Sequence, residues 1–374
     1  MSEATKASAE FAELLATASM LVCAGAGGVG KTTTSAAIAL AAARQGRRVV
    51  VVTIDPARRL ADAIGANISH EPSRLPGTDR GELWAVMLDT RATFDNLVRA
   101  AAKDDAQADQ ILANRFYRNL TGALSGTQEY MASEKLFQLH HDARFDLVVV
   151  DTPPTRNALD FMSAPERLVH FLDHRLYRML IAPTRLGMKV AGAAVQPFLR
   201  TMSKVVGGDA IAEAIEFFQA FDGMEPGFRH RAETVMQLLR SPQTGYVLVT
   251  SPRREAVSEA TYFAGHLRER NLGVAAFVAN RLHPTFGVQG YEGPSPTGGD
   301  TARSREAEAF IENLMLLRHL AASEREALQP LLRATASTTC LRSVPLLDQD
   351  VHDLDGLATV ADHLLGVHPA EPLR

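Results

Sequence analysis

The stretch LVCAGAGGVGKTTTSAAIALA, residues 21–41, decides how this chain folds around its first strand. Within it, residues 25–32 match the pattern GxxxxGK[ST], between the apolar run MLVCA and an alanine-rich segment with the composition of a helix. Glycines let such a loop turn its backbone N–H groups toward phosphate oxygens, and the start of the following helix adds its dipole. The stretch therefore predicts a phosphate-binding loop that joins a strand to a helix.

The candidate phosphate ligands lie at the end of this motif. Lys31 is expected to reach the terminal phosphates, and Thr32 to hold a Mg²⁺ ion. The other candidates supply backbone N–H groups or the first turn of the helix: Gly27, Gly28, Val29, Gly30 and Thr33. The alternative interpretation is a glycine-rich turn without a ligand, which the GKT ending and the strand-to-helix setting disfavour.

Two aspartates that follow predicted strands supply what such a loop requires. VVVVTIDPARRLADAIG ends a strand at Asp55, and FDLVVVDTPPTRNALDFM ends another at Asp151. We assign Asp151 to a water bound to Mg²⁺, and Asp55 to orienting the water that attacks the terminal phosphate. For each residue, the alternative is an aspartate that caps the following helix.

Seven short, β-branched runs recur along the chain with helical segments between them. They are MLVCA, RVVVVTI, LWAVML, FDLVVV, YVLVT, VAAFVA and RSVPLL. Such runs suit strands that are buried on both faces, and long crossovers between them suit a parallel sheet covered by helices. The sequence therefore predicts one doubly wound α/β domain, a P-loop NTPase fold with a mostly parallel sheet, over residues 1–374.

Other segments are expected to lie outside this sheet. Residues 91–143 and 156–243 are too long for single crossover helices and are predicted to form an inserted α-helical subdomain. Residues 284–303 are rich in Gly, Pro and Thr and are predicted to form a flexible surface loop. Residues 167–204 interleave basic and large apolar side chains, which fits either a packed amphipathic helix or a surface for a partner.

The composition excludes several classes of function. The chain has 39 basic and 43 acidic side chains, a net charge of −4, so it has no general attraction for nucleic acid or anionic lipid. Its first residues lack the regions of a signal peptide, and no run reaches the roughly 18 apolar residues of a membrane span. Two cysteines, Cys23 and Cys340, are too few for a disulfide framework. We therefore expect a cytoplasmic protein without a nucleic-acid partner.

Five stretches together resemble the ArsA family, the arsenite-pump ATPases and the ATPases that deliver tail-anchored membrane proteins. They are GAGGVGKTTT, DPARRLADAIG, VVVDTPPT, VANRL and VPLLDQDV, in the family's order across residues 20–360. The resemblance implies ATP hydrolysis by a dimer whose two nucleotides face each other. It also implies that Asn280 contacts adenine and that Pro345 to Val351, including Leu347, form an adenine loop. The stretches after the two aspartates would then be switch regions.

The chain departs from the family pattern at several positions. Ala26 stands where the family's loop carries a lysine that touches the partner's nucleotide, so a homodimer of this chain is expected to hydrolyse ATP slowly. Arg156 and Asn157 replace a Gly-His pair, and Arg253 replaces a glutamate near the nucleotide. The scarcity of cysteine argues against arsenite transport and against a zinc clamp between subunits.

These observations favour a Mg·ATP-dependent dimeric ATPase that couples its nucleotide state to a protein or membrane-associated client, in the cytoplasm or peripheral to a membrane. Its partner is a second copy or a paralogue that carries the missing lysine. Two alternatives stay open. One is a nucleotide-holding scaffold that hydrolyses weakly or not at all beside an active paralogue, and the other is a positioning ATPase of the ParA/MinD type.

Overall fold

The computed structural model contains one eight-stranded sheet within its described residues. The structure describes residues 3–55, 59–115, 117–118, 126–174, 213, 216–217, 219–285, 301–336 and 339–368. The strands are β1 (Met20–Ala24), β2 (Arg48–Thr53), β3 (Ser73–Leu75), β4 (Glu82–Met87), β5 (Leu147–Asp151), β6 (Thr244–Thr250), β7 (Val274–Leu282) and β8 (Cys340–Pro345). They lie in the order β3-β4-β2-β5-β1-β6-β7-β8.

The sheet is mostly parallel. Strand β1 pairs in parallel with β5 and β6, and the pairs β2 with β5, β6 with β7 and β7 with β8 are also parallel. Every residue of β1, β5 and β6 is buried, as expected for strands covered on both faces. The predicted doubly wound α/β fold is confirmed, and each of the seven predicted runs supplies one strand.

The eighth strand, β3, was not predicted. It pairs antiparallel with β4 at one edge of the sheet. It has three residues, SRL, of which Leu75 alone is buried. A segment this short shows neither alternation nor a β-branched run, so its pairing depends on the neighbouring strand rather than on its own pattern.

Eleven described helices flank or follow the strands. They are α1 (Glu3–Thr17), α2 (Lys31–Arg44), α3 (Arg59–Ile64), α4 (Thr90–Ala101), α5 (Asp105–Ala113), α6 (Thr127–His141), α7 (Thr155–Asp173), α8 (Glu225–Leu239), α9 (Arg254–Glu269), α10 (Thr301–Ala334) and α11 (Leu354–Leu365). Helix α2 is buried from Thr34 to Ala43 and packs on β2, β5 and α11. Its alanine side chains allow the close approach that such burial requires.

The chain divides into two compact units. The first comprises Met1–Val86, Phe145–Thr155 and Gln243–Arg374 and holds the sheet. The second comprises Met87–Arg144 and Arg156–Pro242, and its described regular elements are helices, from α4 to α8. The organisation as a single ATPase domain with a helical subdomain stays a prediction.

The second unit has its own hydrophobic core. Phe94 stacks on Tyr117 with ring centroids 5.2 Å apart, and Phe221 packs on Phe228 at 4.8 Å. Each of its helices contributes at least one buried side chain to this core: Phe94, Leu97, Val98, Ala108, Ile111, Met131, Leu172 and Phe228. Aromatic side chains therefore supply much of the apolar area buried in this unit.

Some predictions fall outside the described residues. Residues 286–300 contain most of the predicted flexible loop 284–303, and residues 175–212 contain most of the basic stretch 167–204. Among the helices that the structure describes, none combines the length and the apolar character needed to cross a membrane.

Candidate functional site

The phosphate-binding loop occupies residues 25–30, between the end of β1 and the start of α2. Gly28 and Gly30 have positive φ angles of 78° and 85°, a conformation that is strained for residues with a side chain. A Cβ atom on Gly25 would clash with the carbonyl oxygen of Val249 in β6. The loop can take this shape because glycine stands at these positions.

The first two residues of α2 complete the loop. Lys31 is only 6% exposed although it carries an amine. Thr32 donates its hydroxyl to Oδ2 of Asp151 over 2.9 Å, and Thr53, the last residue of β2, donates to the same oxygen over 2.9 Å. The structure therefore brings the start of α2 and the end of β5 together, as the predicted site requires.

Asp151 is fully buried at the end of β5. Burial raises the pKa of its carboxyl group, while the Lys31 amine and the hydroxyls of Thr32 and Thr53 oppose this rise. Its other oxygen, Oδ1, is buried without a hydrogen-bond partner among the described residues. A buried carboxylate oxygen with spare acceptor capacity, beside a threonine hydroxyl, fits a divalent cation or a water bound to it.

Asp55 lies two residues beyond the end of β2, the strand that pairs with the strand ending in Asp151. Thr53 is paired with Asp151 in the β2–β5 register, and the N–H of Ile54 donates to the carbonyl of Asp151 over 3.0 Å. The two aspartates are therefore at the carboxyl ends of neighbouring strands. The Asp55 side chain is 16% exposed and forms an ion pair with Arg59 at 3.5 Å. Its position gives it access to solvent beside the loop, and its role toward water stays a prediction.

Asn280, near the end of β7, is hydrogen-bonded to the phosphate-binding loop. Its side-chain amide donates to the carbonyl of Val29 over 2.9 Å, and its Oδ1 accepts the backbone N–H of Arg281 at 3.0 Å. A Cβ atom on Gly30 would clash with this amide. The resemblance implied a contact with adenine, whereas the contacts seen here are with the loop, and the adenine contact stays a prediction.

Sequence reasoning missed one residue of this site, Arg281. The pairing of β7 with β8 shifts between Asn280 and Leu282, and Arg281 at this bulge has a φ of 62°. Its guanidinium donates to the carbonyl of Gly28 over 3.2 Å. The stretch VANRLHP contains no glycine, a residue that often marks a bulge, so no sequence signal indicated this one. The only available indication was that an arginine directly follows Asn280.

A cavity of about 840 Å³ lies beside Gly28. Its walls include arginines from the start of α9 and from β7, together with residues that follow β8: Arg253, Arg254, Arg281, Leu346 and Asp350. It therefore borders the phosphate-binding loop at Gly28.

The predicted adenine loop begins at this cavity. Pro345 ends β8, and the N–H of Leu346 donates to the carbonyl of Leu282 over 2.8 Å, which ties the loop to β7. Leu346 and Asp350 line the cavity, and Leu347 between them is partly buried. The structure therefore places this loop on the same cavity as Gly28, and base binding by Pro345 and Leu347 stays a prediction.

The positions that depart from the family pattern differ in their surroundings. Ala26 is 6% exposed within the loop. Arg253 immediately precedes α9 and faces the cavity. The side chains of Arg156 and Asn157 are outside the described residues.

A mostly parallel sheet, a glycine-rich loop between its central strand and the next helix, and aspartates at the ends of two neighbouring strands define a P-loop NTPase fold. The family model described as "Anion-transporting ATPase" matches residues 18–289 of this chain. The chain belongs to this family, the ArsA ATPases, and it is a nucleotide-binding ATPase.

Several curated relatives are named ATPase GET3. The chain is 24% identical to that of Malassezia globosa over 355 residues, which cover 94% of this chain and 92% of the relative. It is 30% identical to that of Chaetomium globosum over 294 residues, 78% of each chain. It is also 30% identical to the Schizosaccharomyces pombe ATPase over 258 residues, 69% of this chain and 71% of the relative.

Proposed function

We propose that this ATPase binds ATP together with Mg²⁺ at the loop of residues 25–33. The observation that carries the proposal is the unpartnered Oδ1 of Asp151, held beside the hydroxyl of Thr32. Thr32 and Asp151 would hold Mg²⁺, Asp151 through a water. When bound, the ion neutralises charge on the phosphate oxygens. The loop N–H groups and the buried amine of Lys31 would bind the same oxygens.

In this proposal Asp55 orients the water that attacks the terminal phosphate. Two features support this role: its place at the end of the strand next to Asp151, and its partial exposure. A carboxylate that positions an attacking water needs such access.

We further propose that the working form is a dimer. Alanine at position 26 can offer no charge to a facing nucleotide, so a homodimer would be slow and a paralogue with lysine there would activate this chain's site. Lys31, Thr32, Asp55 and Asp151 all remain, which favours hydrolysis over the nucleotide-holding scaffold. Membership of the ArsA family favours this function over a ParA/MinD-type positioning ATPase.

The proposed client is a hydrophobic protein or a membrane-associated protein. The resemblance to ATPases that deliver tail-anchored proteins supports it, as do the curated relatives named ATPase GET3. The helical second unit is the proposed place of binding, because it is a compact unit with a hydrophobic core of its own.

Substitution of Lys31 tests the nucleotide site. We expect Lys31→Ala to weaken ATP binding about tenfold or more, because a charge-assisted bond to phosphate is lost. Isothermal titration calorimetry with Mg·ATP measures the affinity, and circular dichroism checks that the variant is folded. Lys6→Ala, which removes a lysine of α1 paired with Glu10 at 3.7 Å on the surface, is the matched control. Wild-type affinity and ATPase rate in Lys31→Ala would remove the assignment.

A further inference from the structure

Arg281 has a backbone conformation that is unfavourable for an arginine. Its φ of 62° lies in the left-handed region, where glycine and asparagine are tolerated best and other side chains cost free energy. The residue stands at the bulge where the β7–β8 register shifts. Bulges redirect a side chain, and strained residues concentrate at functional sites. A function of the side chain would explain why an arginine occupies this strained position.

The side chain is directed to the phosphate-binding loop. One N–H of the guanidinium donates to the carbonyl of Gly28 over 3.2 Å, which leaves four of its five donors. Among the described residues, no carboxylate forms an ion pair with Arg281, Arg253 or Arg254, although all three line the cavity beside Gly28. Three arginines that form no ion pair among the described residues therefore line the cavity beside Gly28.

The cavity also has acidic side chains, and they are located elsewhere on its wall. Glu324 and Glu326 belong to α10, and Asp350 follows β8. Glu324 already accepts the backbone N–H of His283 over 2.8 Å and contacts its ring Nδ1 over 2.7 Å. The charged group that contacts Gly28 is the guanidinium of Arg281, which donates a hydrogen bond to its carbonyl. The part of the cavity wall next to the loop is therefore positively charged and suited to an anion.

We propose that Arg281 is the second cation of the nucleotide site, after Lys31. One of its donors holds the loop through Gly28, and the others bind the phosphate chain of the nucleotide in the same subunit. This inference rests on the proposed nucleotide site. It concerns affinity within one subunit, and it leaves untouched the contact across the dimer that Ala26 cannot make.

Glycine and asparagine at position 281 separate charge from backbone strain, because both accept a positive φ. We expect R281G and R281N to bind ATP and ADP about tenfold or more weakly, since a charge-assisted bond to phosphate is removed. R281K should recover part of the loss, because it keeps the charge without the forked geometry. N271G is the matched control: Asn271 has a φ of 59° in the turn before β7, away from the cavity.

Affinity is measured by calorimetry, and the melting temperature of the nucleotide-free protein is recorded for every variant. The proposal requires that R281G lose affinity without a lower melting temperature, and that N271G bind like the wild type. R281G and R281N binding within twofold of wild type would overturn it, as would R281K binding no better than R281N. Loss of ATP binding in Lys31→Ala with normal binding in R281G would refute this inference and keep the nucleotide site. Normal binding in both would refute the nucleotide site itself.

Discussion

Asp151 is subject to two opposing requirements. Its burial disfavours the charged carboxylate and raises its pKa, whereas a role in holding Mg²⁺ requires that charge. The nearby amine of Lys31 and two threonine hydroxyls reduce this cost without removing it, because Oδ1 keeps no partner among the described groups. A bound cation would therefore stabilise the charged form of this carboxyl group.

Asp151→Asn should separate stability from metal dependence. Because the folded-state pKa lies above the ordinary 3.8, this group's contribution to stability is full below that value and is lost as pH rises through the folded pKa. The amide removes the cost, so the melting temperature without nucleotide should rise by about 2–4 °C at neutral pH and by less near about pH 4. Mg²⁺ should no longer enhance ATP binding. Calorimetry and thermal melts at several pH values measure both effects.

Asp146, at the other end of β5, provides the contrasting control for this variant. Hydrogen bonds from Arg48 lower the pKa of its carboxyl group. Asp146→Asn should therefore leave the melting temperature unchanged or lower, and the Mg²⁺ dependence normal. A lower melting temperature in Asp151→Asn, together with normal Mg²⁺ dependence, would contradict the account of Asp151.

Asp55→Asn should retain ATP affinity and slow hydrolysis. The amide has the shape of the carboxylate, but it cannot accept a proton from water, and loss of such a group reduces rates by about 10²-fold or more. A phosphate-release assay at saturating ATP gives the rate, and Asp62→Asn on the exposed side of α3 is the control. If the rate stays at the wild-type value, Asp55 is structural.

At the scale of elements, α6 and α8 are joined by an ion pair that is largely buried. Arg231 of α8 donates to Oε1 of Glu134 over 2.7 Å, and its guanidinium lies 4.9 Å from the ring centroid of Phe137. Burial raises the pKa of Glu134, while Arg231 opposes the rise. The Glu134 side chain is fully inaccessible, and among the described residues its hydrogen bonds come from this arginine and from Gln138.

Arg231→Met should destabilise the protein by about 3–5 kcal/mol at pH 8, since it leaves a buried carboxylate without its cation. The loss should be smaller at pH 5, because a Glu134 carboxyl whose folded pKa is raised is stable below that pKa and costs stability as pH rises through it. Urea denaturation at the two pH values measures the difference. Arg229→Met, on the same helix as Arg231, removes an exposed pair with Asp173 of α7 and should cost less than about 1 kcal/mol. Equal losses at both pH values would show that packing on Phe137 dominates.

The sequence predicted elements that carry their own pattern and missed those that depend on neighbours. Each β-branched run became a strand, because burial on both faces demands such residues throughout the run. Strand β3 and the bulge at Arg281 have no comparable signal, since one follows from pairing with β4 and the other from a register shift against β8. The same limit applies to Asn280, whose bond to Val29 joins residues that are 251 positions apart.

At the scale of the whole molecule, the proposed dimer depends on position 26. We expect Ala26→Lys to raise the ATPase rate of the isolated chain about tenfold or more, because cations supplied across such interfaces accelerate phosphoryl transfer strongly. Ala26→Met, with similar length and no charge, is the control. Mixing the wild-type chain with a paralogue that has the lysine should also exceed the sum of the separate rates. An unchanged rate in Ala26→Lys and simple additivity on mixing would end the argument for activation across the dimer.

Both cysteines of the chain, Cys23 and Cys340, are buried, and burial raises the pKa of each thiol to about 12. Each thiol is therefore protonated at neutral pH, and reagents that attack thiolates find no reactive native target on the folded chain. A cysteine introduced at an exposed position would consequently be the only one to take up a maleimide dye. Fluorescence energy transfer between two such labels would report the distance between the labelled positions with and without nucleotide, and neither native cysteine would have to be removed.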